Sequence, residues 1–132
     1  MPALKKNTVK RTERNILWFS EISIKDVALV GGKNASLGEM YSKLTRQGVR
    51  VPNGFALTSL AYWEFLQSTG LDKKIKKELK GLDVRDISAL MKAGRRVREL
   101  ILRAPLPAAI EKEILASYRT LSGGEGNIGA SV

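Results

Sequence analysis

The residues best suited to chemistry lie in the run Val30-Gly31-Gly32-Lys33-Asn34-Ala35-Ser36-Leu37-Gly38-Glu39-Met40. It reads as a glycine turn entering a helix, with a lysine at the junction. Gly31 and Gly32 lack a Cβ, so they tolerate positive φ and let a ligand come close to the backbone. The first turn of a helix presents N–H groups with no intrahelical partner. Those groups and the helix dipole favour an anion, and Lys33 adds a full positive charge beside them. The chemistry is therefore phosphate binding. The same residues also fit a plain loop-to-helix turn with a solvated lysine, and Gly-Gly-Lys is too short to decide between the two. The run is not the eight-residue phosphate loop, because no Gly-Lys-Ser/Thr is present.

Other chemistries are excluded by composition. The chain has no cysteine and no histidine. Disulfides, thiolate catalysis, a histidine base and a phosphohistidine are all ruled out within it. A metal site would have to be built from carboxylates alone, which disfavours a transition-metal enzyme. The lack of cysteine fits a reducing, cytoplasmic setting. No run of about 18 apolar residues exists to span a membrane, and no apolar segment follows the basic N-terminus as a secretory signal requires.

The elements that must position the glycine turn follow from patterning. The chain has 132 residues, 43% of them hydrophobic, which is enough for one domain with a core. Residues 1–14 are polar and basic without periodicity and read as a flexible tail. Ile16-Leu17-Trp18-Phe19 reads as a buried strand. Ser23 with Asp26 forms a capping-box pattern, predicting one helical turn near 24–28. After Lys33, Leu37, Met40, Tyr41 and Leu44 form a helical apolar stripe expected to face the core, and Gly48 ends that helix. Pro52-Asn53-Gly54 predicts a turn and Phe55-Ala56-Leu57 a short strand.

Thr58 or Ser59 caps the next helix, whose stripe is Tyr62, Phe65, Leu66 and Thr69 with Trp63 flanking; this aromatic cluster reads as core. A short helix follows over 73–80. Asp83 or Asp86 opens a longer one to about Arg103, with Ile87, Leu90, Met91, Gly94, Val97 and Ile101 inward and a close helix contact expected at Gly94. Pro107 starts a last helix to about Leu121, with Ile110, Ile114, Tyr118 and Leu121 inward. Asn127–Val132 reads as the beginning of a strand, suggesting the boundary of a fragment.

The net charge of +10 is unevenly spread. Residues 1–14 hold five Lys/Arg against Glu13, and residues 72–103 hold eleven against five acids. Both stretches can attract polyanions. They contain no aromatics to stack on bases, so a flexible tail and solvated helix faces are the preferred reading over nucleic-acid binding.

Taken together, the Val30–Met40 run and Val51-Pro52-Asn53-Gly54-Phe55-Ala56-Leu57-Thr58, preceded by Trp18-Phe19, resemble the N-terminal part of the ATP-binding domain of the phosphoenolpyruvate synthase (pyruvate, water dikinase) family. Pyruvate phosphate dikinase shares the pattern. The resemblance covers about residues 16–132. It implies an ATP-grasp-like nucleotide-binding domain and an enzyme in which ATP phosphorylates a histidine on a separate domain, which then phosphorylates pyruvate. It matches Lys33 to a lysine on ATP phosphate, with Gly31, Gly32 and Asn34 forming the same phosphate-binding turn. It also implies Mg²⁺, whose ligands would lie outside this chain, as would an arginine-bearing segment, the histidine domain and the pyruvate barrel. The chain by itself is then expected to be inactive. Two alternatives remain beside it. One is the ATP-binding part of another dikinase, such as an antibiotic or glucan phosphotransferase. The other is a basic helical nucleic-acid-binding module. The expected fold is α+β and helix-rich, about five helices with a small sheet of two to four strands, residues 15–132 forming the N-terminal portion of the domain.

Overall fold

The computed structural model describes residues 9–123. The strand expected over Asn127–Val132 lies outside them. The described residues form two compact units, one of residues 9–62 and 109–123 and one of residues 63–108.

The first unit is built on a two-stranded antiparallel sheet. Strand β1 (Ile16–Trp18) pairs with β2 (Phe55–Leu57) in the register Ile16↔Leu57, Leu17↔Ala56, Trp18↔Phe55. Successive side chains on a strand alternate faces. The Leu17–Ala56 pair is therefore on the buried face, where it clusters with Ile22, Val30 and Ala35. Trp18 and Phe55 meet across the strands at a centroid distance of 5.4 Å and a tilt of 60°, a favourable aromatic geometry. A two-stranded ribbon is marginal on its own, so the helices packed on its buried face are what hold it.

The segment after β1 is helical for longer than the sequence suggests. Two 3₁₀ turns, Phe19–Glu21 and Ile24–Asp26, lead into α1 (Val27–Val30) and then α2 (Gly32–Thr45). The Ser23/Asp26 capping box forms: the Ser23 N–H donates to Asp26 Oδ2 at 2.8 Å, and Ser23 Oγ accepts from the Lys25 N–H at 3.3 Å. Residues 9–14 depart from the flexible-tail reading, while 1–8 lie outside the described residues. Arg11–Glu13 form a 3₁₀ turn. Arg11 Nη2 reaches Asp26 Oδ2 at 2.6 Å, and Arg14 grips Glu21 at 2.6 and 3.2 Å. These acids already serve as local caps, so each carries a fixed negative charge that holds an arginine. Asp26 titrates below its ordinary range because the Ser23 N–H bonds its carboxylate; burial opposes this and Arg11 reinforces it. Burial pushes Glu21 upward, yet Arg14 and the Trp18 N–H bring it below its usual value.

Helix α2 buries small residues most deeply, while Leu37, Tyr41 and Leu44 of the expected stripe are partly buried. Ala35 and Gly38 are its buried positions, whereas Met40 is 42% exposed. A Cβ on Gly38 would lie 2.5 Å from Ile22 Cβ. Close approach selects small side chains there and rotates the buried stripe away from the one the large residues predict. After α2, the Gly48 N–H bonds Thr45 O at 3.1 Å and the Val49 N–H bonds Leu44 O at 3.0 Å, with Gly48 at φ +80°, a glycine C-terminal cap as expected.

Helix α3 spans Ser59–Ser68. Buried Thr58 precedes it, donating from Oγ1 to Arg14 O at 2.7 Å while accepting from the Ala61 N–H at 3.4 Å. In the part of α3 within the first unit, Ala61 is buried, but Tyr62 is 53% exposed rather than core. The last helix of this unit, α6 (Ala108–Leu121), buries Ile110 as its periodicity predicts. Its Glu113 accepts a hydrogen bond from Asn15 Nδ2 at 3.0 Å, tying it to the entry of β1.

The second unit holds the end of α3, α4 (Leu71–Leu79) and α5 (Ile87–Arg103). Asp86 caps α5 by accepting the Ala89 N–H at 3.0 Å, and Arg96 of α5 pairs with Glu78 of α4. In α5 the fully buried residue is Ala93, whereas Ile87, Leu90 and Met91, expected inside, are exposed. Trp63, also expected in the core, is exposed. Gly94 makes no close helix contact: a Cβ there would meet only the flexible end of Arg98 at 3.4 Å. Its φ is ordinary. Gly94→Ala is therefore expected to stabilise the chain by about 0.5–1 kcal/mol, the helix-propensity gain alone, measured as a raised urea midpoint at unchanged slope.

Candidate functional site

The junction of α1 and α2 is where the sequence places phosphate chemistry, and its geometry follows from a few hydrogen bonds. The Gly31 N–H closes α1 on Val27 O at 2.8 Å, and Gly31 O accepts the first bond of α2, from the Ala35 N–H at 3.0 Å. Between those bonds Gly31 sits at φ +82°, ψ 162°, a region that is essentially glycine-only. The break between the two helices is thus concentrated in one residue.

Residues Gly32, Lys33 and Asn34 form the first turn of α2. Their N–H groups precede the first intrahelical donor, Ala35, and α2 has no side-chain cap and no acid in its first turn. A helix start usually satisfies such groups with Ser, Thr, Asp or Asn. Here they point outward without one, at the positive end of a 14-residue helix. A Cβ on either Gly31 or Gly32 would meet nothing within 4 Å, so the surface over the turn is open. Lys33 is exposed beside it. The donor set fits a phosphate: backbone N–H groups, a dipole and one ammonium, with no carboxylate in the turn.

Asn34 differs from the other three. It is partly buried, and its Nδ2 donates to Val30 O at 2.9 Å. Gly31, Gly32 and Lys33 present themselves outward, while the Asn34 amide turns back into the scaffold. Sequence reasoning treats Ala28-Leu29-Val30 as a lead-in to the turn, so it has no helix end there for Asn34 to bond.

One residue that the sequence reading missed is Glu39. Its Oε2 accepts the Ile24 N–H at 3.1 Å, and its Oε1 pairs with Lys43 at 2.6 Å. The Lys43 hydrogen bond, followed by the Ile24 N–H, holds its carboxyl below the ordinary range. Glu39 thereby locks α2 to the 3₁₀ turn that precedes α1. Among the described residues no cluster of three or more acids could hold a metal ion, and no helix is long and apolar enough to cross a membrane.

Comparison with known proteins adds to this geometry. Residues 27–132 match the model of the pyruvate phosphate dikinase AMP/ATP-binding domain. The chain belongs to that family. The matched region contains the whole α1–Gly31–α2 junction. The chain is 44% identical over 117 residues to a phosphoenolpyruvate synthase of Neisseria meningitidis, covering 89% of this chain and 15% of that protein. It is 48% identical over 103 residues to one of Synechocystis, covering 78% and 13%. It is 40% identical over 117 residues to one of Escherichia coli, covering 89% and 15%. The chain therefore spans about one-seventh of the length of these relatives. A free-standing nucleic-acid module is not favoured by this match.

Proposed function

We propose that this chain supplies one wall of the ATP site of a phosphoenolpyruvate synthase, within an ATP-grasp-like domain. The observation that carries the proposal is the uncapped, acid-free start of α2 with Lys33 in its first turn, inside the region matched to an AMP/ATP-binding domain. In this reading the Gly32 and Lys33 N–H groups and the Lys33 ammonium bind ATP phosphate oxygens. Gly31 sets the direction of the helix end, and Gly32 leaves room for the phosphate against the backbone. Phosphoryl transfer depends mainly on such positioning and charge neutralisation.

The whole enzyme would use ATP to phosphorylate a histidine and pass that group to pyruvate. This chain contains no histidine, so the acceptor belongs to the remainder of the protein, and in this reading the Mg²⁺ ligands and the pyruvate site do as well. The 132 residues alone are expected to bind at most and not to turn over. A different dikinase with the same nucleotide-binding domain would differ in its acceptor domain, and the relatives favour the synthase.

The test is a titration of the ¹⁵N-labelled chain with ATP·Mg²⁺, with Lys33→Ala alongside. The expected result is a set of amide shifts clustered at 31–36 that disappears in the variant. Shifts that persist unchanged in Lys33→Ala, or that cluster elsewhere, would overturn the assignment of the phosphate to this turn.

A further inference from the structure

We infer that Asn34 is a positioning residue, whose side-chain amide locks the Gly31 turn in the conformation that aims the first N–H groups of α2 outward. The inference rests on the reading of that turn as a phosphate site, but its geometry stands apart from any ligand. Val30 O lies at the C-terminal end of α1, where carbonyls have no intrahelical donor. Val30 is itself a buried residue. Asn34 Nδ2 supplies the donor at 2.9 Å.

Three bonds therefore bracket the turn: Gly31 N–H to Val27 O, Ala35 N–H to Gly31 O, and Asn34 Nδ2 to Val30 O. The first two are backbone bonds that any residue except proline can make at the donor position. The third depends on a side chain of one length with a donor at its end. It connects the last residue of α1 to the third residue of α2 across the glycine, and so resists rotation about Gly31.

Two consequences separate this role from direct contact with a phosphate. One Nδ2 N–H is held on Val30 O, which fixes the plane of the amide and the places of its second N–H and of Oδ1. Asn34 thus contributes to anion binding first through the turn that it fixes, whereas Lys33 contributes by contact. Removing Asn34 must then disturb the turn before any ligand is added, and removing Lys33 must not.

The experiment reads the free chain first. The Asn34 side-chain NH₂ protons are expected to exchange more slowly with solvent than those of the exposed Asn53. Asn34→Ala and the isosteric Asn34→Asp should both shift the Gly31 and Gly32 amide signals and speed their exchange. The Leu17 and Ala56 amides of the sheet should stay in place. Lys33→Ala should leave the free-state Gly31 and Gly32 signals largely unchanged. Titration with ATP·Mg²⁺ then reads the consequence, an affinity weakened roughly five- to tenfold in Asn34→Ala, the scale of one lost hydrogen bond.

Free-state Gly31 and Gly32 signals that ignore both Asn34 variants would overturn the inference, as would Leu17 and Ala56 moving as much as the turn. Fast exchange of the Asn34 NH₂ protons in the unsubstituted chain would overturn it without any variant. If the turn responds as expected while the unsubstituted chain takes no ATP, the role of Asn34 in the turn is upheld and the phosphate reading of this isolated chain is what fails.

Discussion

Gly38→Ala is expected to destabilise the chain by about 3 kcal/mol, at the upper end of what overpacking a core costs. The added Cβ would stand 2.5 Å from Ile22 Cβ, 2.6 Å from Ile22 Cγ2 and 2.8 Å from Ile22 O. None of these atoms is the far end of a flexible side chain. Cβ and the carbonyl oxygen are fixed by the backbone, so no rotamer change relieves the contact. Alanine gains up to about 1 kcal/mol over glycine in helix propensity, and that gain offsets only part of the clash. Helix α2 must instead move away from the 3₁₀ turns beneath it. That movement strains the Glu39 bond to the Ile24 N–H and opens the cluster of Ile22, Val30 and Ala35. Domains of this size are stable by only about 5–15 kcal/mol, so the loss should be plain in a urea titration as a lowered midpoint. Ile22→Val keeps both Cβ and Cγ2, so adding it to Gly38→Ala should bring no recovery. A Gly38→Ala chain as stable as the parent would mean that α2 does not approach this turn so closely.

The contrast between Gly38 and the residues around it shows where sequence reasoning succeeds. Local chemistry is legible. Ser23 with Asp26 is read as a capping box and forms one, because both partners lie within four residues and need nothing from the rest of the fold. The strands at Ile16 and Phe55, the cap at Asp86 and the inward face of α6 at Ile110 follow from equally short patterns. The glycine turn is legible too, since Gly31-Gly32 before a helical run has few other uses.

Packing over longer distances is less legible. The stripe Leu37, Met40, Tyr41 and Leu44 reads as the core face of α2, yet Met40 is exposed and the other three are only partly buried, because periodicity weighs large apolar residues and ignores small ones. Where two elements come very close, Ala and Gly are the residues that fit, and Ala35 with Gly38 at i, i+3 is the signal that was there to be used. Helix α5 repeats the lesson: Ala93 is buried, while Ile87 and Met91, one turn apart, face outward. Charge counting has the same limit. Arg11 and Arg14 look like part of a solvated tail until their partners Asp26 and Glu21 are seen. Those acids are placed by the 3₁₀ turns that they cap. At the site, Lys33 and the two glycines could be named from sequence, whereas the direction of the Asn34 amide could not. It depends on Val30 ending a helix, and α1 is only four residues long.

Gly31→Ala should affect both folding and the site, and comparison with Gly32→Ala separates the two effects. Gly31 has φ +82° and ψ 162°. For an L-residue this conformation costs of order 1–3 kcal/mol, even though a Cβ there would find open space. The penalty is in the backbone, so the chain can lower it only by leaving that conformation. Leaving it redirects the start of α2 and pulls Val30 O away from Asn34. Thermal or urea unfolding should show the loss of stability, and the amides of 31–36 should shift in the free chain. Gly32 has neither a positive φ nor a neighbour within 4 Å of its would-be Cβ. Gly32→Ala should therefore fold as well as the parent or slightly better, since alanine is favoured in a helix. Its methyl group would nevertheless project over the open surface where a phosphate must approach. If that surface receives ATP, Gly32→Ala weakens the nucleotide-induced shifts without loss of stability, whereas Gly31→Ala loses both. Equal ATP binding by Gly32→Ala and the parent would show that the phosphate does not come in over Gly32, and would move the contact to the Lys33 side of the turn.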